Sequence, residues 1–214
     1  MDLALFDFDH TITDRDSFSA FLRAHVPARR RYWGGLLVAP LLLGYYRLHL
    51  VSGTTLRRAV ARVGLKGLPR DALAAAARAW SRDVLPGFVR PVALERIRWH
   101  QARGDTVVVV SASLDLYLRD WCQREGLEVL CSQLGHRRGR LTGYYRGVDC
   151  GGDHKARRIL KRYRLTDYRA IHAYGDSEED EAMLALADHR VYRWEGFEVA
   201  SASPRTARNG FSSR

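Results

Sequence analysis

The sequence predicts an α/β protein, a doubly wound parallel sheet with a helical segment inserted after its first strand. Three observations carry that expectation. Short apolar runs of strand length, residues 3–8 and 106–110, each end in a polar cluster, as strands buried on both faces do. Through the second half of the chain such runs alternate with stretches of helical period, the pattern of βαβ units. Residues 16–85 break the alternation, being helical in pattern with no β-branched run.

Taken in order, residues 3–8 (LALFDF) form the first strand, and the helical insert follows, with residues 72–80 a strong helix former. Inside it, residues 32–46 (YWGGLLVAPLLLGYY) are fifteen uncharged positions between Arg29-Arg30-Arg31 and Arg47. A membrane-spanning helix needs about 20 apolar residues, and Gly34, Gly35, Pro40 and Gly44 are expected to interrupt this one. Two readings stand: a core hairpin of the insert, or a segment lying at an anionic bilayer through aromatic ends, basic flanks and an apolar middle. Helices are expected over 91–103, 114–125, 154–163 and 178–187, and strands over 106–110, 129–131, 171–174 and 190–192. Residues 140–147 (RLTGYYRG) read as a small hairpin around Gly143, and from Glu195 the chain has no period and reads as a loose tail. The division is thus a core of residues 1–14 and 86–196, a cap of residues 15–85 and a tail of residues 197–214.

With 214 residues, 46% of them hydrophobic, the chain can bury a real core. That composition excludes a disordered chain, a collagen and a disulfide-stapled miniprotein. Cys122, Cys131 and Cys150 are too few for a stapled scaffold and lack zinc-site spacing. Asp2 and Asp7 stand where a signal peptide needs basic residues and an apolar run, so a cytoplasmic protein is expected. The net charge of +11 comes from 32 arginines and only Lys66, Lys155 and Lys161. Such an excess favours anionic partners, whether nucleic acid, an acidic membrane or a phosphorylated small molecule.

Four places carry candidate chemistry. Asp7-Phe8-Asp9-His10-Thr11 ends the first strand, where ligands collect on an open α/β sheet. Two carboxylates at that spacing can converge on an oxygen-loving cation, although an Asp-rich turn is commonly only a turn device. Gly175-Asp176-Ser177-Glu178-Glu179-Asp180 follows a later strand and opens a helix, placing Asp176 and Asp180 over the same crevice. Glu178, Glu179 and Glu181 read as helix-capping acids. Ser111-Ala112-Ser113 offers a hydroxyl and free backbone N–H groups to a phosphate, or a plain serine N-cap. Lys155 opens a helix in a chain that otherwise prefers arginine, and a compact ammonium can neutralise a phosphate.

In this order, D-x-D-x-T after the first strand, a strand-end serine, a lysine and G-D-S-x-x-D after a later strand resemble the four motifs of the haloacid dehalogenase superfamily of phosphatases. The likeness covers residues 2–14 and 86–193, and the helical insert is similar to the cap of subfamily IB, the branch with phosphoserine phosphatase and phosphatidylglycerophosphate phosphatase. The resemblance implies a Rossmann-like core and an Mg²⁺-dependent phosphatase. It makes Asp7 the nucleophile that forms an aspartyl-phosphate and Asp9 the general acid and base. By the same resemblance Mg²⁺ sits on Asp7, the Asp9 main-chain carbonyl and Asp176. Ser111, Ala112 and Lys155 bind the phosphoryl group, and Thr11 and Asp180 support the site.

For the substrate, the apolar segment fits a lipid phosphate such as phosphatidylglycerophosphate, with peripheral contact at an anionic membrane. A small soluble metabolite such as phosphoserine is the alternative. Asp16, nine residues after Asp7, stands where phosphoserine phosphatases place an acid for the substrate ammonium. Against this, Thr55-Leu56-Arg57-Arg58-Ala59-Val60 resembles their cap segment but has Ala59 at their carboxylate-binding arginine, which leaves Arg57 or Arg58 to compensate. A third class is a basic nucleic-acid- or membrane-binding module that keeps the fold without the chemistry; the four intact motifs argue against it, and no nucleic-acid-binding signature is present.

Overall fold

The structure, a computed structural model, describes residues 1–195; the expected tail over 197–214 lies outside the described residues. In chain order the elements are β1 (Leu3–Phe6), α1 (Ser17–His25), α2 (Ala28–Tyr46), α3 (Gly53–Leu65), α4 (Arg70–Asp83), α5 (Pro91–Ala102), β2 (Thr106–Leu114), α6 (Asp115–Arg124), β3 (Glu128–Ser132), β4 (Leu134–Arg137), β5 (Arg140–Tyr145), α7 (Asp153–Arg162), β6 (Ile171–Gly175), α8 (Glu181–Leu184) and β7 (His189–Tyr192). Five strands form one parallel sheet in the order β3-β2-β1-β6-β7. This is the α/β sheet that the alternation predicts.

Alternating residues of the strands feed two cores. Ala4, Phe6, Val107 and Val109 join one hydrophobic cluster, and Leu3, Leu5, Val108 and Val110 join the other. Both faces are therefore covered, which is why these strands read as unbroken apolar runs. The first cluster continues into the insert through Ala61, Leu65, Leu73, Ala77 and Trp80. The two ends of the insert lie side by side: Thr13 pairs with Val89, and Arg90 donates from its backbone to the Ile12 carbonyl at 2.8 Å. A long excursion can thus leave and rejoin the core without disturbing the sheet.

Several local expectations are corrected. The first strand stops at Phe6 and the second runs on to Leu114, because Asp7 and Phe8 turn towards the insert while Ser111 still pairs with Cys131. The hairpin does not turn at Gly143: β4 and β5 are joined by Arg138 and Gly139, both in the left-handed region at φ 50° and 71°, as tight hairpin turns require. Gly143 lies inside β5 at φ 75°, and a Cβ there would come within 3.0 Å of the Arg62 backbone in α3. In place of one helix over 178–187 there is a 3-10 turn, Glu178–Asp180, followed by the short α8. Cys122, Cys131 and Cys150 are buried free thiols.

The apolar segment is neither interrupted nor a core hairpin. It is the continuous 19-residue α2, with Pro40 inside it. The carbonyl that Pro40 leaves without an amide partner belongs to Leu36; both residues are exposed, so water can satisfy it. Gly34 serves packing, since a Cβ there would lie 2.5 Å from Val63 Cγ1 in α3. Among the described residues, no helix is long and apolar enough to cross a membrane.

The packing of β5 against α3 gives a direct test. Gly147→Ala, at φ 79° with open space around it, should cost about 1 kcal/mol from the left-handed backbone alone. Gly143→Ala should cost roughly twice that, because its Cβ also collides with α3. Urea unfolding of both variants measures the difference, and equal losses would mean that β5 does not press on α3.

Candidate active site

The sheet register brings the site together. Phe6 in β1 lies opposite Val109 in β2 and Tyr174 in β6, so Asp7, Ser111 and Asp176 all stand just beyond these positions at the carboxyl edge of three neighbouring strands. The strand order reverses between β1 and β6, which opens a crevice there. The Asp7 amide donates to the Tyr174 carbonyl at 2.9 Å, fixing the first residue of the crevice to the neighbouring strand.

Lys155, from the first turn of α7, reaches into this crevice. It is 2% exposed, and its Nζ donates to carboxylate oxygens of both Asp7 and Asp180. Burial opposes the Lys155 charge, but Asp7 and Asp180 beside it win and hold its pKa above the ordinary value. Asp180 is also buried, yet Lys155 and the amides of Asp176 and Ser177, each at 3.1 Å, keep it below the usual carboxylate range. Ser177 Oγ donates to the same carboxylate at 2.9 Å. This closure needs Gly175, because a Cβ there would stand 2.6 Å from Asp180 Cβ.

Asp7 is left in a different balance. Burial raises its pKa well above normal, and repulsion from Asp180 and Asp9 adds to that, with Lys155 only partly compensating. Asp176 is raised too, by burial and by Asp180, while Thr11 Oγ1 donates to it at 3.1 Å. Ligand oxygens of Asp7, Asp176 and Asp180 lie within 4.8 Å of one another. Three carboxylates against one ammonium leave two negative charges in a small, oxygen-only space. That donor set fits a hard divalent cation such as Mg²⁺. Asp180 has its oxygens committed to Lys155, Ser177 and two amides, so Asp7 and Asp176 are the carboxylates with capacity for it.

Asp9 stands beside Asp7 in a frame of its own. The Ser17 amide donates to Asp9 Oδ1 at 2.7 Å, and Ser113 Oγ donates to Oδ2. Behind Ser113, the fully buried Tyr117 hydroxyl donates to Ser113 Oγ at 2.8 Å. Burial and the charge of Asp16 push Asp9 up to about 6, against the pull of the Ser113 and Ser17 hydrogen bonds. A carboxyl poised there can both give and take a proton near neutral pH. Ser17 and Tyr117 were invisible as site residues in the sequence, and Ser113 was read there only as part of a phosphate-binding or capping segment, not as a partner of Asp9. The only signal was the four-residue spacing from Ser113 to Tyr117 across a strand-to-helix junction.

The other sequence candidates fall as follows. Ser111 is 1% exposed, and its Oγ accepts from the Ser113 amide at 3.0 Å, so that N–H is not free as expected. Neither serine caps a helix, since the N-cap of α6 is Leu114. Ala112 is half-buried between the two serines. Asp16 is the N-cap of α1, accepting from the Ser19 amide at 3.1 Å and from Ser19 Oγ at 2.6 Å. Glu179 is not merely a capping acid. Arg57 of α3 pairs with it at 2.9 Å and with the wholly buried Asp149 at 3.2 Å, which ties the insert to the core at the edge of the site. Ala59 is half-buried on the same helix.

Comparison with known proteins agrees with this geometry. Residues 4–185 match the family model of haloacid dehalogenase-like hydrolases. The chain is 34% identical over 196 residues to Protein CicA of Caulobacter vibrioides, covering 89% of this chain and 85% of that protein. Among solved structures it is similar to a Bordetella pertussis Tohama I protein of unknown function, at 25% identity and a TM-score of 0.74 with 89% of each chain covered. It also shares its fold with a substrate-bound phosphoserine phosphatase, at 20% identity and a TM-score of 0.64, covering 89% of this chain and 85% of that one. A Rossmann-like sheet, an insert after its first strand, a buried Asp-Lys-Asp crevice and a family match over most of the length give one conclusion: the chain belongs to the haloacid dehalogenase-like hydrolases and is an enzyme of that family.

Proposed function

We propose that this hydrolase is a phosphomonoesterase that works through an aspartyl-phosphate on Asp7, with Mg²⁺ held by Asp7, Asp176 and the Asp9 main-chain carbonyl. The observation that carries the reading is the buried Asp7 carboxylate, held by Lys155 and placed next to an Asp9 whose proton affinity is raised to about 6. The cation, when bound, neutralises the crevice so that a phosphate dianion can enter. Lys155 and Ser111 hold the phosphoryl oxygens. An Asp7 oxygen attacks phosphorus and the bond to the leaving group breaks, while Asp9 gives its proton to the leaving-group oxygen, which departs as the alcohol. Asp9 then takes a proton from water, which attacks the same phosphorus. The Asp7–phosphorus bond breaks and inorganic phosphate leaves with the carboxylate restored.

For the substrate, two observations favour a lipid or other bulky phosphomonoester, of which phosphatidylglycerophosphate is an example. Arg57 is committed to Asp149 and Glu179, and Ala59 offers no charge, so of the groups on this segment only the exposed Arg58 is left for a small substrate's carboxylate. Most of the large apolar side chains of α2, among them Tyr32, Trp33, Leu36, Leu37, Leu43 and Tyr46, are exposed. Phosphoserine remains the second reading, supported by Asp16, whose carboxylate lies close enough to Asp9 to raise it. A non-catalytic basic module would have no use for a lysine and three aspartates converging in one crevice.

Asp7→Asn should lower kcat on an aryl phosphate by more than about a hundredfold with the melting temperature little changed. Retention of more than a hundredth of the rate would remove Asp7 as the nucleophile. For Asp9→Asn the sign is a stoichiometric burst of aryl alcohol followed by a slow steady state, because an aryl leaving group needs little help and water still does; a uniform slowing without a burst would contradict its role as the base. Chelation should abolish activity and added Mg²⁺ restore it, and full activity in excess chelator would exclude the metal.

A further inference from the structure

The insert holds a surface that phosphoryl chemistry does not use. On α2 and the loop after it, Tyr32, Trp33, Leu36, Leu37, Leu43 and Tyr46 are each more than half exposed, and Leu50 is 79% exposed. Only Gly34, Val38 and Gly44 of this helix are buried, Gly34 against Val63 and Gly44 against Val51. Such a contiguous apolar face is uncommon on a free surface and marks contact with something else. Charge says what that is. Between residues 17 and 70 there is no Asp or Glu, while ten Arg and Lys fall there, so this quarter of the chain carries nearly all of the net +11. Arg29, Arg31 and Arg47 are exposed at the two ends of the apolar face.

We infer that α2 and the loop to Val51 dock on an anionic lipid bilayer, with the leucines entering the acyl boundary, the aromatic pairs Tyr32–Trp33 and Tyr45–Tyr46 at the headgroup level and the arginines on lipid phosphates. A second copy of the chain would bring the same unneutralised positive charge to the face and be repelled. A nucleic acid would satisfy the arginines but leave the leucines in water. Docking here sets the insert, and with it the mouth of the crevice, against the surface where a lipid phosphate is presented. That last step rests on the phosphatase reading, whereas the docking itself does not.

The test is co-sedimentation of the protein with vesicles of phosphatidylcholine alone or mixed with phosphatidylglycerol. Binding should need the anionic lipid and weaken at about 0.5 M salt, where the Debye length is only several ångströms. The double variant Leu37→Ser and Leu43→Ser, which changes no charge and removes no buried side chain, should bind anionic vesicles more than about tenfold more weakly while hydrolysing a soluble aryl phosphate at the parent rate. No sedimentation with anionic vesicles at low salt would overturn the inference. Binding that depends on salt but ignores the two leucines would also overturn it, by showing adsorption through charge alone, as would a dimer that the variant converts to a monomer. Loss of aryl phosphate hydrolysis in the parent protein, with sedimentation intact, would instead fail the phosphatase reading and leave the docking standing.

Discussion

A buried ammonium is the constraint on which the rest of this structure depends. Taking the Lys155 charge out of water is strongly unfavourable unless carboxylates meet it, and here Asp7 and Asp180 do so from two different strand ends. Those carboxylates are themselves buried, so each requires the lysine in turn. The cluster therefore links β1, the turn after β6 and the first turn of α7, which are far apart in sequence. It also leaves Asp7 short of positive charge, and on the proposed reaction that shortage is what would draw in a cation and then a phosphate. Stability and chemistry draw on the same few groups, with Gly175 allowing the closest approach among them.

How much of this could be read from the chain follows from the range of the interactions. Val107 to Val110 spoke for a strand through composition alone, and the aspartates, serine and lysine of the crevice stand at strand or helix ends whose period was plain. The frame around Asp9 was hidden, because Ser17, Ser113 and Tyr117 meet only when the insert folds over β2. Arg57 and Asp149 lie 92 residues apart, beyond any local signal. The hairpin was misplaced because Arg138 adopts a left-handed backbone that its side chain does not advertise, whereas Gly143 does. In α2 the glycines and Pro40 suggested breaks, but the glycines serve close packing and the proline stands on the wet side.

The insert joins the two ends of the account. It shares a hydrophobic core with one face of the sheet, it supplies Ser17 to Asp9, and through Arg57 it holds Asp149 and Glu179 at the rim of the crevice. It also presents exposed apolar and basic groups to the outside. In the reaction proposed above, one segment would both complete the proton-transfer group and decide which phosphate reaches it. On that proposal the division of labour is physical: the sheet edge fixes charges that must not move, and the insert carries the surfaces by which substrates would differ.

The central claim is that phosphorus passes through a covalent bond to one carboxylate. Enzyme quenched in acid during steady turnover of an aryl phosphate and digested with trypsin would report this by mass spectrometry. The account requires phosphate on the peptide from Met1 to Arg15, at Asp7 and removable by hydroxylamine. Turnover with every aspartate unmodified, and inversion rather than retention of configuration at a chiral phosphorus, would contradict it and point to a single direct attack by water.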